Sequence, residues 1–196
     1  MLNIDADWAF SDGLHAGERE QIERYLGAYS SRFVRRPNLA IDFIATRLDS
    51  MLPTYKQMMQ SAWAIIEEGF SSRVVKPGVT TTEDLVWWFR DRIQAANYTT
   101  WFQPSVDLHR PGYNGQGVIQ KGDMLWVDFG LTAYGLNTDT QHNGYVLRDG
   151  ETQAPSGLLA GLRTANILQA KCSQLHCINM MFTFFFFFVV VIFLDG

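Results

Sequence analysis

Apolar and polar positions follow two different periods along this chain. Over Ala16 to Leu26 the acidic residues Glu18, Glu20 and Glu23 gather on a polar face, which predicts a helix. Arg35-Arg36-Pro37 interrupts the chain, and Asn38 to Leu48 predicts a second helical stretch with Leu39, Ile41, Phe43, Ile44 and Leu48 apolar. Pro53 opens a longer helix through Gln60, Ala64 and Ile66 to about Gly69. Val74-Val75-Lys76-Pro77-Gly78 reads as a turn, and Thr80 with Glu83 three residues later reads as a capping box. The helix it starts carries Leu85, Trp88, Phe89 and Ile93 at helical spacing, a stripe expected to face a core.

After Asn97 the period shortens. Thr99 to Phe102 and Gly117 to Ile119 are short β-like pieces separated by Pro, Gly and Asn. Lys121-Gly122-Asp123 turns the chain into Met124 to Phe129, a strong apolar strand. Leu131 to Gly135 reads as a loop or hairpin and Asn137 to Leu147 as the returning strand. Arg148-Asp149-Gly150 turns the chain again. Ser156 then caps a last helix whose buried side is expected to hold Leu158, Leu159, Leu162, Ile167 and Leu168. Helices, a β unit and a closing helix predict an α+β class.

Composition changes this picture at one end. The chain has 196 residues, 47% hydrophobic and 18% charged, which excludes a disordered polypeptide. A net charge of −4 offers no electrostatic footprint for nucleic acid, and two cysteines exclude a disulfide framework. Of 14 Phe, seven fall in the last 15 residues. The chain therefore divides into a body, 1–170, and a divergent Phe-rich tail, 171–196. The stretch Met180 to Leu194 is apolar except for Thr183. As a helix it would reach only about 22 Å, against roughly 30 Å of bilayer hydrocarbon. Three readings of it compete: a short membrane anchor, a buried strand or helix, or translated T-rich sequence outside the true frame. The last is preferred, because Phe codons are pyrimidine-rich. Exposed, such a segment is aggregation-prone. Cys172, His176 and Cys177 give a Cys-x4-Cys spacing with one His and no fourth zinc ligand.

The informative chemistry is a pair of aspartates. Asp128 interrupts the apolar strand, where an ionised carboxylate costs several kcal/mol unless compensated. Asp139 lies 11 positions later, across a Gly-containing hairpin. If the flanking strands are antiparallel neighbours, both carboxylates aim at one point, and their repulsion is relieved by a divalent metal. Alternatively Asp128 is a satisfied polar group at a strand end and Asp139 a turn residue.

Trp126-Val127-Asp128-Phe129-Gly130, followed by Tyr134-Gly135-Leu136-Asn137-Thr138-Asp139-Thr140, resembles the metal-binding hairpin of the pita-bread metallopeptidases, which include methionine aminopeptidase, proline aminopeptidase and creatinase. Lys76-Pro77-Gly78-Val79-Thr80-Thr81 and Lys121-Gly122-Asp123 fit the same family in order, and the likeness is strongest to proline-aminopeptidase-like members. The resemblance covers roughly Ala16 to Ala170. It implies a fold of two similar halves with helices packed on a curved antiparallel sheet. It also implies two divalent ions, Mn, Co or Zn, held by two Asp, one His and two Glu, that activate water for peptide hydrolysis. By motif position Asp128 matches the chelating Asp and Asp139 the bridging one. His109 stands 19 positions before Asp128, close to the spacing of the family's substrate-side His; it also reads as a solvated loop His beside Arg110 and Pro111.

The family's His and Glu ligands follow the hairpin at a distance. Here 57 residues follow Asp139; His142 is too near, His176 sits in the divergent tail, and no Glu occurs beyond Glu151. The body is expected to be the first half of the catalytic domain, with metal ligands Asp128 and Asp139, inactive alone and aggregation-prone. The expected surroundings are a peptide substrate, no nucleic acid, room for a homodimer, and the cytoplasm, with membrane association through 180–194 as a minor alternative. A non-catalytic pita-bread binding module is the other reading. The coding DNA past codon 170 tests the frame reading: a shifted frame or spliced message restoring a His and two Glu is expected, and none in any frame counts against it.

Overall fold

The computed structural model describes residues 1–8, 12–176 and 191–194. The run 177–190, with Cys177 and most of the Phe-rich stretch, lies outside the described residues, as do the side chains of 172–176 and 191–194. The zinc reading and the tail readings fall largely there. Among the described residues no helix is long and apolar enough to cross a membrane.

The chain forms two compact units, Met1–Leu52 and Pro53–Gly196. The first holds α1 (Ala16–Leu26) and α2 (Leu39–Ala45). Helix α1 has the predicted bounds, and Glu18 accepts from the His15 N–H at 3.2 Å to close its first turn. Helix α2 stops before the expected Leu48, because Thr46 is extended and its hydroxyl bonds back to the Asp42 carbonyl at 2.7 Å. None of the described residues of this unit is buried, and Phe43 and Ile44 are 82% and 71% exposed. Its contacts are polar: Arg36 pairs with Asp42 at 2.8 Å and Arg19 with Glu23 at 2.9 Å. Exposed pairs of this kind contribute at most about 1 kcal/mol each.

The second unit has a core. Helix α3 (Leu52–Gly69) buries Met58, Ala62 and Ile66, one helical face at spacings of four. Helix α4 (Thr82–Ala95) buries Leu85, Phe89 and Ile93, with Trp88 half-buried against Phe89. Its capping box sits one residue later than the sequence predicts. Thr81 accepts from the Asp84 N–H at 3.0 Å, and Asp84 accepts from the Thr81 N–H at 2.9 Å. Thr80 is not free to cap, since its hydroxyl accepts from the Lys76 N–H at 2.8 Å and closes the preceding turn.

The main sheet runs β2-β1-β3-β6-β7, with β1 (Ser105–Arg110), β2 (Tyr113–Gly115), β3 (Met124–Phe129), β6 (Thr140–Val146) and β7 (Val191–Leu194). Strand β1 was not expected from the sequence. The pairs β2–β1, β1–β3 and β3–β6 are antiparallel, while β7 joins β6 in parallel. A small hairpin, β4 (Thr132–Ala133) with β5 (Leu136–Asn137), fills the connection between β3 and β6. The predicted returning strand therefore starts at Thr140 rather than Asn137.

Register sorts the sheet into two faces. Val106 pairs with Val127 and Val127 with His142, while Leu108 pairs with Leu125 and Leu125 with Gly144. The side chains of Val106, Leu108, Leu125 and Val127, with Phe129, form the face that packs on α3 and α4. Gly144 is required there: a Cβ at this position would lie 2.8 Å from Phe70 Cδ2. At the base of β3, the carboxylate of buried Asp123 accepts from Arg110 at 2.8 Å and from the Gln120 N–H at 2.7 Å.

Helix α5 (Ser156–His176) follows. Leu158 and Leu159 pack against the cluster of Tyr145, Leu147 and Ala154. Ile167 and Leu168, expected on the buried side, are 60% and 62% exposed. The half-buried line runs Leu158, Leu162, Ala165, Gln169, and positions 167 and 168 fall off that stripe.

One buried titratable group lies in the core. His142 is 1% exposed and its Nε2 meets Thr140 Oγ1 at 2.8 Å. Burial pushes its pKa down from 6.5 to about 4. The unfolded chain therefore takes up this proton first as pH falls. Stability should decline between pH 6.5 and about 4, by about 3 kcal/mol from this group. Urea denaturation across that range checks it, and His142→Gln should flatten the acid limb.

Candidate metal centre

The sheet face opposite the core carries the polar residues of the same strands. Register places Ser105 beside Asp128 and Asp128 beside Gln141. Asp139 precedes Gln141 by two positions, so an extended chain turns both side chains to one side. The predicted pair thus converges on this face.

The hairpin that delivers Asp139 is tightly held. Tyr134 and Gly135 both have positive φ, 53° and 73°, the two-residue primed turn that matches strand twist. Thr138, fully buried, clamps the base of the loop. Its N–H donates to the Leu131 carbonyl at 2.8 Å, and its hydroxyl accepts from the Leu131 N–H at 2.8 Å. Its carbonyl accepts from Trp101 Nε1 at 3.2 Å. Gly130 is the residue this clamp demands, since a Cβ there would lie 2.4 Å from the Thr138 carbonyl oxygen.

Asp128 and Asp139 are both half-buried. Between them lies Gln141, 7% exposed, whose Nε2 donates to Asp128 Oδ1 at 2.8 Å and to Asp139 Oδ1 at 3.2 Å. Asp139 has its pKa raised, first by burial and then by the negative charge of Asp128, with the Gln141 hydrogen bond opposing. Two carboxylates near enough to repel, joined by one amide, form a site that favours a cation. Their hard oxygens fit a divalent metal. Among the described residues no group of three or more His, Cys, Asp or Glu converges, so the acids here amount to a pair.

The structure does not bring His109 to this pair. It lies on the same sheet face, but four residues along β1 from Ser105, a separation of about 13 Å. Its Nδ1 meets Asn114 Oδ1 at 2.9 Å. His142 points to the opposite, core face, and Glu151 accepts from the Tyr145 hydroxyl at 3.0 Å and the Arg148 N–H at 2.8 Å. Sequence reasoning missed Gln141 as a site residue and gave Thr138 no role. The available signal was the i, i+2 spacing of Asp139 and Gln141, which becomes meaningful once register is known.

No family model matches the chain, and no curated protein matches it in sequence. Among solved structures, the crystal structure of X-Pro aminopeptidase from Thermotoga maritima matches with a TM-score of 0.54 at 13% identity. The match covers 81% of this chain and 44% of that one, so the chain spans less than half the length of that protein. The likeness is one of fold: an α+β arrangement corresponding to part of an aminopeptidase of the pita-bread type.

Because Asp139 has a raised pKa in the fold, its ionised form destabilises the metal-free chain at neutral pH. Asp139→Asn keeps an acceptor for Gln141 and removes the repulsion. It should stabilise the metal-free chain at pH 7, by less than about 1 kcal/mol because solvent screens the pair. The gain should vanish as pH falls below 3.8, the ordinary carboxyl value. Denaturation at the two pH values checks both statements.

Proposed function

We propose that this chain carries the aspartate hairpin of a metal-dependent aminopeptidase lineage, whose activity is release of an amino-terminal residue ahead of proline from a peptide substrate. The observation that carries the reading is the convergence of Asp128 and Asp139 on one buried amide, on the open face of a sheet whose fold is like part of an X-Pro aminopeptidase. In this reading Asp128 and Asp139 would together hold divalent ions of the Mn, Co or Zn kind, Asp139 in the position of the family's bridging acid and Asp128 in that of its chelating acid. Such ions would supply an activated water and stabilisation of the oxyanion of peptide hydrolysis.

The described residues hold two of the five ligands that this chemistry uses. Two carboxylates bind a divalent ion weakly and leave no general acid or base beside it. The chain alone is therefore expected to bind metal without turning over peptide. A non-catalytic binding module of the same fold is the second reading. It is favoured by Gln141, which satisfies one oxygen of each acid without a metal.

Titration of the full chain with Mn, followed by incubation with a peptide bearing proline at its second position, separates these. Weak Mn binding that Asp128→Asn/Asp139→Asn abolishes, with no cleavage, is the expected result. Cleavage by the chain alone would overturn the claim of inactivity, and no Mn binding would favour the binding module.

A further inference from the structure

Gln141 has a feature that the pair of acids does not explain. Its amide nitrogen is fully used, but its Oε1 is buried and has no hydrogen-bond partner among the described residues. An orphaned buried acceptor costs about 1–3 kcal/mol. The side chain is more than nine-tenths buried and aimed into the pair. Rotation about the terminal amide torsion exchanges nitrogen for oxygen, and that torsion is broad and roughly two-fold.

The two ends of the amide suit opposite states of the acids. With no cation, the N–H groups are donors to repelling carboxylates. With a cation among the same oxygens, those hydrogens would face positive charge, whereas an amide carbonyl is an ordinary ligand for hard divalent ions. We propose that Gln141 is a reversible third ligand: its nitrogen clasps Asp128 and Asp139 when the pair is empty, and its Oε1 joins them on a divalent cation. The donor set is then oxygen only, which suits Mn and its hard relatives. This inference rests on the pair being a cation site. It adds a residue to that site and explains why a neutral amide with an unsatisfied oxygen is buried there.

The test follows free Mn by electron paramagnetic resonance during titration of the full chain, wild type against Gln141→Leu, Gln141→Glu and Asp128→Asn/Asp139→Asn. Gln141→Leu, which loses both ends of the amide, should weaken Mn binding about tenfold or more. Gln141→Glu retains a side-chain oxygen and should bind at least as tightly as wild type. Equal or tighter binding by Gln141→Leu would overturn the proposal, since an amide that only clasps must be displaced and its removal would help the metal. Weaker binding by Gln141→Glu would overturn it too, and serves if circular dichroism shows Gln141→Leu unfolded. Mn binding untouched by the double Asn variant would remove the cation site itself. Binding lost there but kept in Gln141→Leu would remove only the third ligand.

Discussion

The register between β3 and β6 is the constraint on which the second unit depends. Val127 opposite His142 faces the helices, and Asp128 opposite Gln141 faces away from them. A slip of one residue would exchange these faces. It would drive a carboxylate into a core of Phe, Leu and Val and place Val127 on the polar side. Burial of an unpaired charge costs far more than any single ladder bond contributes. The same pairing thus specifies the core and the site. Strand β1 extends both consequences, with Val106 and Leu108 on one face and Ser105, Asp107 and His109 on the other.

Holding two like charges together requires a rigid frame, and the frame here is local. The span from Asp128 to Gln141 contains the whole device: the strand end, the β4–β5 hairpin, the Thr138 clamp and the bridging amide. Thr138 bonds Leu131 through both backbone and hydroxyl, so the segment entering β6 has little freedom to swing Asp139 away from Asp128. Buried aromatic packing supports this from the opposite face, where Phe129 meets Phe89 of α4 at a centroid separation of 5.3 Å. Repulsion between the acids is a small term against that packing.

Much of this was legible in the sequence where burial is one-sided and regular. Leu125, Val127 and Phe129 alternate with Met124, Trp126 and Asp128, and the strand appears as predicted. Leu85, Phe89 and Ile93 keep helical spacing and fill the core. Strand β1 was not legible, because Ser-Val-Asp-Leu-His-Arg has only Val106 and Leu108 as apolar residues and lies between Pro104 and Pro111. Its alternation is real but short. The cap of α4 shifted by one because two adjacent threonines compete, and only the three-dimensional turn gives Thr80 another partner. The aspartates were legible from their spacing. Gln141 was not, since an uncharged side chain in a strand carries no signal until its neighbour across the sheet is known.

The polar face has two ends with different chemistry. At one, Asp128, Gln141 and Asp139 gather acid and amide oxygens. At the other, Met124 pairs with Tyr145, and a cavity of about 270 Å³ lies between this part of the sheet and α5, lined by Leu158, Gly161 and Leu162 among others. His109 sits toward that second end, opposite Met124. The strand geometry makes the two ends separate environments about 13 Å apart. Acid and amide oxygens at one end and an apolar cavity at the other therefore share one face without sharing side chains. The carboxylates need no help from the far end to converge, because the hairpin that joins them is complete within the strands themselves.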